Sequence, residues 1–116
     1  MRLVVRSGGL GKRKRGKLVR DRIPHIIRSE GGNPVTHTAG PQEYRHRLRE
    51  KLSEEVAEFL AAKEDRAPEE LADILEVIHA LAHDLGIDEE KLEKIRRSKA
   101  EERGGFADRV IWSGNR

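Results

Sequence analysis

Two pairs of acidic residues at helical spacing constrain this chain more than any other feature. Glu55 lies three residues before Glu58, and Glu70 lies three residues before Asp73. Residues three apart share a face of an α-helix, so each pair can present two carboxylates together. A short break that contains Pro68 separates the pairs. If that break is a turn, two antiparallel helices bring the four carboxylates together.

Such a convergence needs compensating positive charge. Two like charges about 5 Å apart repel by roughly 3 kcal/mol at an effective dielectric of about 20. Carboxylate oxygens suit hard divalent cations, so convergence predicts bound Mg²⁺ or Mn²⁺. The alternative is that these acids belong to solvated helix faces, because the same region carries other acids: Glu64, Asp65, Glu69 and Glu76.

The hydrophobic pattern predicts an all-α fold, a helical bundle of three substantial helices and one short helix. The short helix is predicted to begin with a cap at Asp21 and to end at Gly31-Gly32. The second helix is predicted over residues 41–63, and the third over residues 68–85 with a stop at Gly86. The fourth is predicted over residues 89–102 after a cap at Asp88.

The acids of the two central helices lie at the edge of their apolar faces. At about 100° per residue, Glu55 falls inside the sector that holds Leu48 and Phe59. On the next helix, Glu70 lies beside Val77. A carboxylate on the core-facing side of a helix needs a partner. Both helices are therefore predicted to direct acids toward the seam between them.

The charge of the chain is divided along its length. Residues 1–22 hold nine Lys/Arg and one acid, a net charge of +8, whereas residues 23–116 carry −5. Residues 1–16 are rich in glycine and basic residues and are predicted to be a disordered extension. Residues 17–112 are predicted to form a single helical domain, and residues 113–116 a tail.

Composition bounds the size and the setting of this fold. With 116 residues, 35% hydrophobic and 3% aromatic, a lone monomer would have a thin core, so we expect a dimer or a larger assembly. The chain has no cysteine, which excludes disulfides and is compatible with a reducing cytoplasm. No apolar stretch approaches the length of a transmembrane helix, so no membrane partner is expected.

Several motifs together resemble a known superfamily. Glu54-Glu55-Val56-Ala57-Glu58, followed by Glu70-Leu71-Ala72-Asp73, resembles the EExxE…ExxD signature of the all-α nucleoside triphosphate pyrophosphatases, the superfamily of MazG and phosphoribosyl-ATP pyrophosphohydrolase. The KLVRDRIP stretch at residues 17–24 and the RGGF stretch at residues 103–106 resemble a MazG-like branch of it. The resemblance covers about residues 16–112.

This resemblance implies a helical bundle that is usually dimeric or tetrameric. It also implies Mg²⁺-dependent cleavage of a nucleotide between the α and β phosphates, which releases a monophosphate and pyrophosphate, with Mn²⁺ as a substitute metal. By motif position, the metal ligands would be Glu55, Glu58, Glu70 and Asp73. Glu54 would support these ligands or orient the attacking water, so Glu54 and Glu55 are the candidate catalytic residues. The role that the resemblance suggests is removal of noncanonical or surplus nucleoside triphosphates.

A triphosphate also needs cations to hold it. The candidates are basic residues that lie near the two ends of the predicted domain: Lys17, Arg20, Arg22, Lys99 and Arg103. Their alternative assignment is ordinary solvated surface, since exposed lysine and arginine are common.

Three other functions compete with the predicted one. The first is hydrolysis of phosphoribosyl-ATP in histidine synthesis, although the KLVRDRIP and RGGF stretches favour the MazG-like branch. The second is nucleic-acid binding through the basic run Lys12–Arg15. The acidic body disfavours nucleic acid as the main partner. The third is a helical interaction module without catalysis, which the intact set of four acids disfavours.

Overall fold

The computed structural model describes residues 16–116. These residues form four α-helices, and no β-strand occurs among them. The helices are α1 (Ile23–Ser29), α2 (Pro41–Ala61), α3 (Ala67–Asp84) and α4 (Glu89–Arg103). The predicted all-α class is confirmed. The basic run Lys12–Arg15 and the rest of the extension before Gly16 lie outside the described residues.

The two central helices begin and end close to their predicted boundaries. α2 begins at Pro41, where proline is tolerated because the first helical N–H groups have no partner within the helix. α3 ends in a pair of backbone hydrogen bonds, from Gly86 N to the His83 carbonyl (3.0 Å) and from Ile87 N to the Ala82 carbonyl (2.8 Å). Gly86 has φ +79°, the left-handed conformation that this ending requires. The predicted stop at Gly86 is therefore confirmed.

The predicted cap of α4 is also confirmed. The Asp88 carboxylate accepts a hydrogen bond of 2.8 Å from the Lys91 backbone N–H. The backbone of Asp88 is extended (ψ 170°), as is typical of the residue that caps the start of a helix. At the other end, Gly104 with φ +84° follows the last residue of α4.

The predicted cap of α1 at Asp21 is wrong. The residue at the start of α1 is Arg22, and no side chain caps the helix there. Arg22 has φ −93° and ψ 0°, which is already near helical, and Ile23 N donates to the Arg20 carbonyl across a tight turn (3.0 Å). Because the chain enters α1 from a turn, no extended residue precedes the helix to hold a capping side chain.

The core of this fold is thin. The chain divides into two compact units, the first ending at Leu81 and the second beginning at Ala82. Among the described residues, the buried apolar side chains are Leu48 and Val77 in the first unit and Ala82 in the second. Other apolar side chains of the two central helices are exposed, to the following fractions: Val56 37%, Leu60 75%, Leu71 51% and Leu75 52%. The single domain over residues 17–112 stays a prediction.

Candidate metal centre

The acids of the first unit lie on a hairpin of two helices. α2 and α3 are joined by residues 62–66, where Arg66 N donates to the Lys63 carbonyl (2.9 Å). Glu58 lies three residues before the end of α2, and Glu70 three residues after the start of α3. Glu55 and Asp73 lie six residues from the same two ends. This symmetry places the two pairs at matching levels of an antiparallel hairpin.

Three of the four predicted ligands converge across the hairpin. Glu55, Glu70 and Asp73 each offer a carboxylate oxygen, and the three oxygens lie within 4.8 Å of one another. The fourth, Glu58, is half-buried and belongs to a second group of the same size with Glu54 and Glu55. Glu55 is common to both groups and therefore occupies the centre of the cluster.

Two of these carboxylates are buried and incompletely satisfied. Glu55 is 6% exposed and Glu70 is 5% exposed. The Oε1 atoms of both are buried and accept no hydrogen bond from the described residues. A buried carboxylate oxygen without a partner is costly, because it loses its hydration and gains nothing in return. A bound cation is the partner that would offset this cost.

The donor set indicates which cation could bind. The cluster offers only carboxylate oxygens, the ligands of Mg²⁺, Mn²⁺ and Ca²⁺, and it contains neither thiolate nor imidazole. The residues that converge here therefore fit a hard divalent metal ion. The alternative that these acids form a solvated helix face does not describe Glu55 and Glu70, which are buried.

Lys51 neutralises part of the cluster. Its Nζ atom lies 3.2 Å from Glu55 Oε2 and 3.4 Å from Glu54 Oε1. The side chain of Lys51 is only 16% exposed, so these contacts are partly shielded from water. Sequence reasoning did not select Lys51 as a functional residue. The signal was available, because Lys51 precedes these acids by three and four residues, the spacing of helical ion pairs.

Glu54 is held outside the central group by two lysines. Its Oε2 atom accepts a hydrogen bond of 2.9 Å from Lys17 Nζ, in addition to the contact with Lys51. Burial acts to raise the pKa of Glu54. The hydrogen bond from Lys17 and the charges of the two lysines outweigh burial, so the pKa of Glu54 is lowered. Glu54 is therefore an anion at neutral pH.

The predicted phosphate-binding cations have different surroundings. Arg20 donates a hydrogen bond of 2.7 Å to Asp73 Oδ1, and Lys17 contacts Glu54, so both are paired with acids of the cluster. Arg22 lines the same cavity as Arg20. Lys99 and Arg103 lie on α4 in the second unit, where both are exposed and Arg103 is 3.8 Å from Glu102.

A cavity of about 430 Å³ opens beside the acids in the first unit. Its polar lining includes Glu55, Asp73 and Lys51. Its apolar lining comes from the segment before α1 and from three helices: Leu18, Val19, Ile23, Ile26, Leu48, Val77 and Ala80. The volume lies within the range of small-molecule sites, about 300–1,000 Å³. A ligand with a charged end and an apolar end would match this lining.

Comparison with known proteins found one curated relative and one protein family. An uncharacterized protein of Mycolicibacterium smegmatis is 54% identical over 46 residues, which are 40% of this chain and 47% of that protein. The chain thus spans about half the length of this relative. No solved structure matches the chain. Residues 25–99 match the sequence model of phosphoribosyl-ATP pyrophosphohydrolase, and this match includes all four predicted metal ligands. The chain belongs to the phosphoribosyl-ATP pyrophosphohydrolase family.

Proposed function

We propose that this protein is a metal-dependent nucleotide pyrophosphohydrolase. It cleaves a nucleoside triphosphate between the α and β phosphates and releases a nucleoside monophosphate and pyrophosphate. The observation that carries the proposal is the pair of buried, unpartnered carboxylate oxygens of Glu55 and Glu70 in a group completed by Asp73. Family membership supports the reaction class.

The proposed ligands are Glu55, Glu58, Glu70 and Asp73, and the proposed metal is Mg²⁺, with Mn²⁺ as a substitute. Four carboxylates exceed what one Mg²⁺ usually takes from a protein, so more than one ion is expected once substrate binds. A bound metal supplies positive charge to phosphate oxygens and lowers the pKa of a coordinated water.

Glu54 takes a supporting or water-orienting role in this proposal. Because both of its carboxylate oxygens contact lysines, the supporting role fits its surroundings better. Lys17 and Lys51 fix the position of Glu54, and Lys51 also contacts Glu55. We expect this network to hold the glutamates of α2 in place while substrate binds and product leaves.

The cavity suggests how a nucleotide lies in the site. We place the phosphates at the end lined by Glu55, Asp73 and Arg20, and the nucleoside along the apolar lining that includes Leu48 and Val77. Arg22 is available to the phosphates from the same cavity. Phosphate binding by Lys99 and Arg103 stays a prediction from the sequence.

Phosphoribosyl-ATP is the second candidate substrate, because the matching family is described by that activity. Its hydrolysis breaks the same α–β phosphate bond, so the same acids would serve. The two candidates differ in what surrounds the nucleoside. Removal of noncanonical or surplus nucleoside triphosphates is the role we prefer, given the KLVRDRIP and RGGF stretches.

A phosphate-release assay tests this proposal. Purified protein with Mg²⁺ is offered canonical, deoxy and modified nucleoside triphosphates and phosphoribosyl-ATP, and pyrophosphate is measured separately from orthophosphate. We expect pyrophosphate from at least one substrate and its loss in Glu55→Gln, whereas Glu69→Gln, an exposed acid of α3 outside the cluster, stays active. Orthophosphate alone, or no release from folded protein, would contradict the proposal.

We also propose that the protein acts as a homodimer or a homotetramer. Val56 and Leu60 lie on the flank of α2 opposite Glu54 and Glu58, and Leu71 and Leu75 lie on the corresponding flank of α3. In an antiparallel hairpin these flanks share one side, so a second copy can cover an apolar strip without blocking the acids. The four exposed fractions amount to about two side chains, worth roughly 3–6 kcal/mol per subunit if buried.

Light scattering after size-exclusion chromatography tests the assembly. We expect a mass of two or four chains, and a single chain for Leu60→Glu, since a charge in the strip opposes burial. Ala61→Glu, at an exposed position of α2 that helix rotation places on the opposite flank from this strip, is the matched control and should keep the assembly. A single chain for the unaltered protein would contradict the assembly but not the hydrolase proposal.

A further inference from the structure

Arg20 is hydrogen-bonded to Asp73, one of the proposed metal ligands. Its guanidinium donates a 2.7 Å hydrogen bond to Oδ1 of Asp73, 53 residues away in the chain. Asp73 shares its ligand group with the buried acids Glu55 and Glu70. Arg20 and Asp73 both line the 430 Å³ cavity. The carboxylate of Asp73 can therefore bind either the guanidinium of Arg20 or a divalent metal ion.

The contact between Arg20 and Asp73 is weaker than the contact that a divalent metal ion would make with Asp73. The side chains of Arg20 and Asp73 are 55% and 40% exposed, and exposed ion pairs contribute little because water screens them. A divalent ion held by buried Glu55 and Glu70 would carry twice the charge in a less screened position. It would also repel a guanidinium held against a shared ligand. The contact therefore belongs to the metal-free protein.

We propose that binding of the divalent metal ion releases Arg20 from Asp73 and that the released guanidinium then binds the phosphates of the nucleotide. This inference rests on the proposed function, because it assigns a role within the same site. A guanidinium presents N–H groups in a planar fork that matches phosphate oxygens. Since Arg20 already lines the cavity, we expect a side-chain rotation to exchange one anion for the other.

This exchange makes metal and phosphate binding cooperative. Without phosphate, Arg20 competes with the metal ion for Asp73 and lowers the metal affinity. When phosphate is present, it offers Arg20 another anion, and the competition ends. By linkage, each ligand then raises the affinity for the other by the same factor. Arg20 is in this account a binding residue that couples the binding of the metal ion to the binding of phosphate.

Binding measurements on Arg20→Gln test the inference. Isothermal titration with Mn²⁺ alone should show about 1.4- to fivefold tighter binding than in the unaltered protein, which is the worth of an exposed ion pair of about 0.2–1 kcal/mol. With Mn²⁺ saturating, pyrophosphate should bind at least about tenfold more weakly to Arg20→Gln, since a charge-assisted contact is lost. The two affinities thus change in opposite directions.

Arg22→Gln is the matched control. It removes the same charge two residues away, and Arg22 lines the same cavity without an ion pair among the described residues. If only the general field of the cavity mattered, both variants would tighten Mn²⁺ binding equally, and that result would overturn the inference. Unchanged or weaker Mn²⁺ binding in Arg20→Gln would overturn it as well. So would tighter Mn²⁺ binding with unchanged pyrophosphate binding.

The same data separate this inference from the proposed function. If Arg20→Gln shows both expected changes but no nucleotide yields pyrophosphate, the role of Arg20 stands and the hydrolase proposal fails. If pyrophosphate is released but Arg20→Gln leaves Mn²⁺ binding unchanged, the hydrolase stands and the role of Arg20 is wrong. A protein that binds no Mn²⁺ overturns both.

Discussion

Replacement of Glu55 by glutamine should stabilise the metal-free protein while removing its response to metal. The change keeps the size of the side chain but removes the charge at the centre of the cluster. Glu54, Glu58, Glu70 and Asp73 each place an oxygen within 4.8 Å of one on Glu55, a repulsion of about 3.5 kcal/mol per pair at an effective dielectric of about 20, or about 14 kcal/mol for the four pairs. Lys51 at 3.2 Å returns about 5 kcal/mol on the same scale.

The balance of these terms sets the expected magnitude. The ion pairs of Lys17 with Glu54 and of Arg20 with Asp73 offset about half of that repulsion. Removing the charge of Glu55 therefore relieves about 7 kcal/mol of net repulsion and gives up about 5 kcal/mol of attraction, so the free energy of unfolding should rise by about 2 kcal/mol. Lys51 is not left alone, because it keeps Glu54 at 3.4 Å. In a chain of this size, that gain raises Tm by roughly 10 °C.

Thermal denaturation with a chelator and with saturating Mg²⁺ measures both effects. In the unaltered protein, Mg²⁺ at about one hundred times its Kd should add about 2.7 kcal/mol of stability. Glu55→Gln should begin with the higher Tm in chelator and gain little from Mg²⁺. The control Glu69→Gln, at an exposed position next to Glu70, should change stability by less than about 0.5 kcal/mol and keep the Mg²⁺ response.

One result would refute this reasoning. If Glu55→Gln lowers the Tm in chelator and still shows the full Mg²⁺ response, Glu55 is not under repulsion from Glu70 and Asp73 and does not hold the metal. Its burial would then have a purely structural cause, through its contact with Lys51.

Two further predictions concern single contacts. Because the pKa of Glu54 is lowered in the folded protein, Glu54 contributes stability above its unfolded pKa of about 4.5. That stability is lost as the pH falls through the lower folded pKa. Lys17→Met should therefore make the free energy of unfolding less dependent on pH in the acid range. A wild-type slope there in Lys17→Met would contradict this. Asp88→Ala should lower the free energy of unfolding by about 1 kcal/mol, measured by urea denaturation, because it removes the cap of α4. Glu90→Ala should not lower it, and equal losses in the two variants would contradict the cap.

Sequence periodicity predicted much of the local structure. The helix boundaries at Pro41 and Gly86 and the cap at Asp88 depend on backbone chemistry within a few residues, so they could be read directly. The cap at Asp21 failed because the preceding turn already places Arg22 near the helical region. Local sequence does not reveal how the chain approaches a helix.

The acidic cluster was predictable for a geometric reason. Once residues 62–66 are a turn, the spacing of the pairs requires matching levels on α2 and α3. The contacts of Lys17 with Glu54 and of Arg20 with Asp73 were not predictable, because they join residues 37 and 53 positions apart. Such pairs depend on the path of residues 16–22 over the hairpin, which no periodicity encodes.

Diffraction from crystals grown with Mn²⁺ tests the central claim most directly. The account predicts an anomalous peak within about 2.0–2.6 Å of carboxylate oxygens of Glu55, Glu70 and Asp73, the distance range for hard divalent cations. The electron-density map of the same crystals should show Arg20 turned away from Asp73. A fully occupied Mn²⁺ elsewhere on the chain, with these oxygens unliganded, would contradict the account.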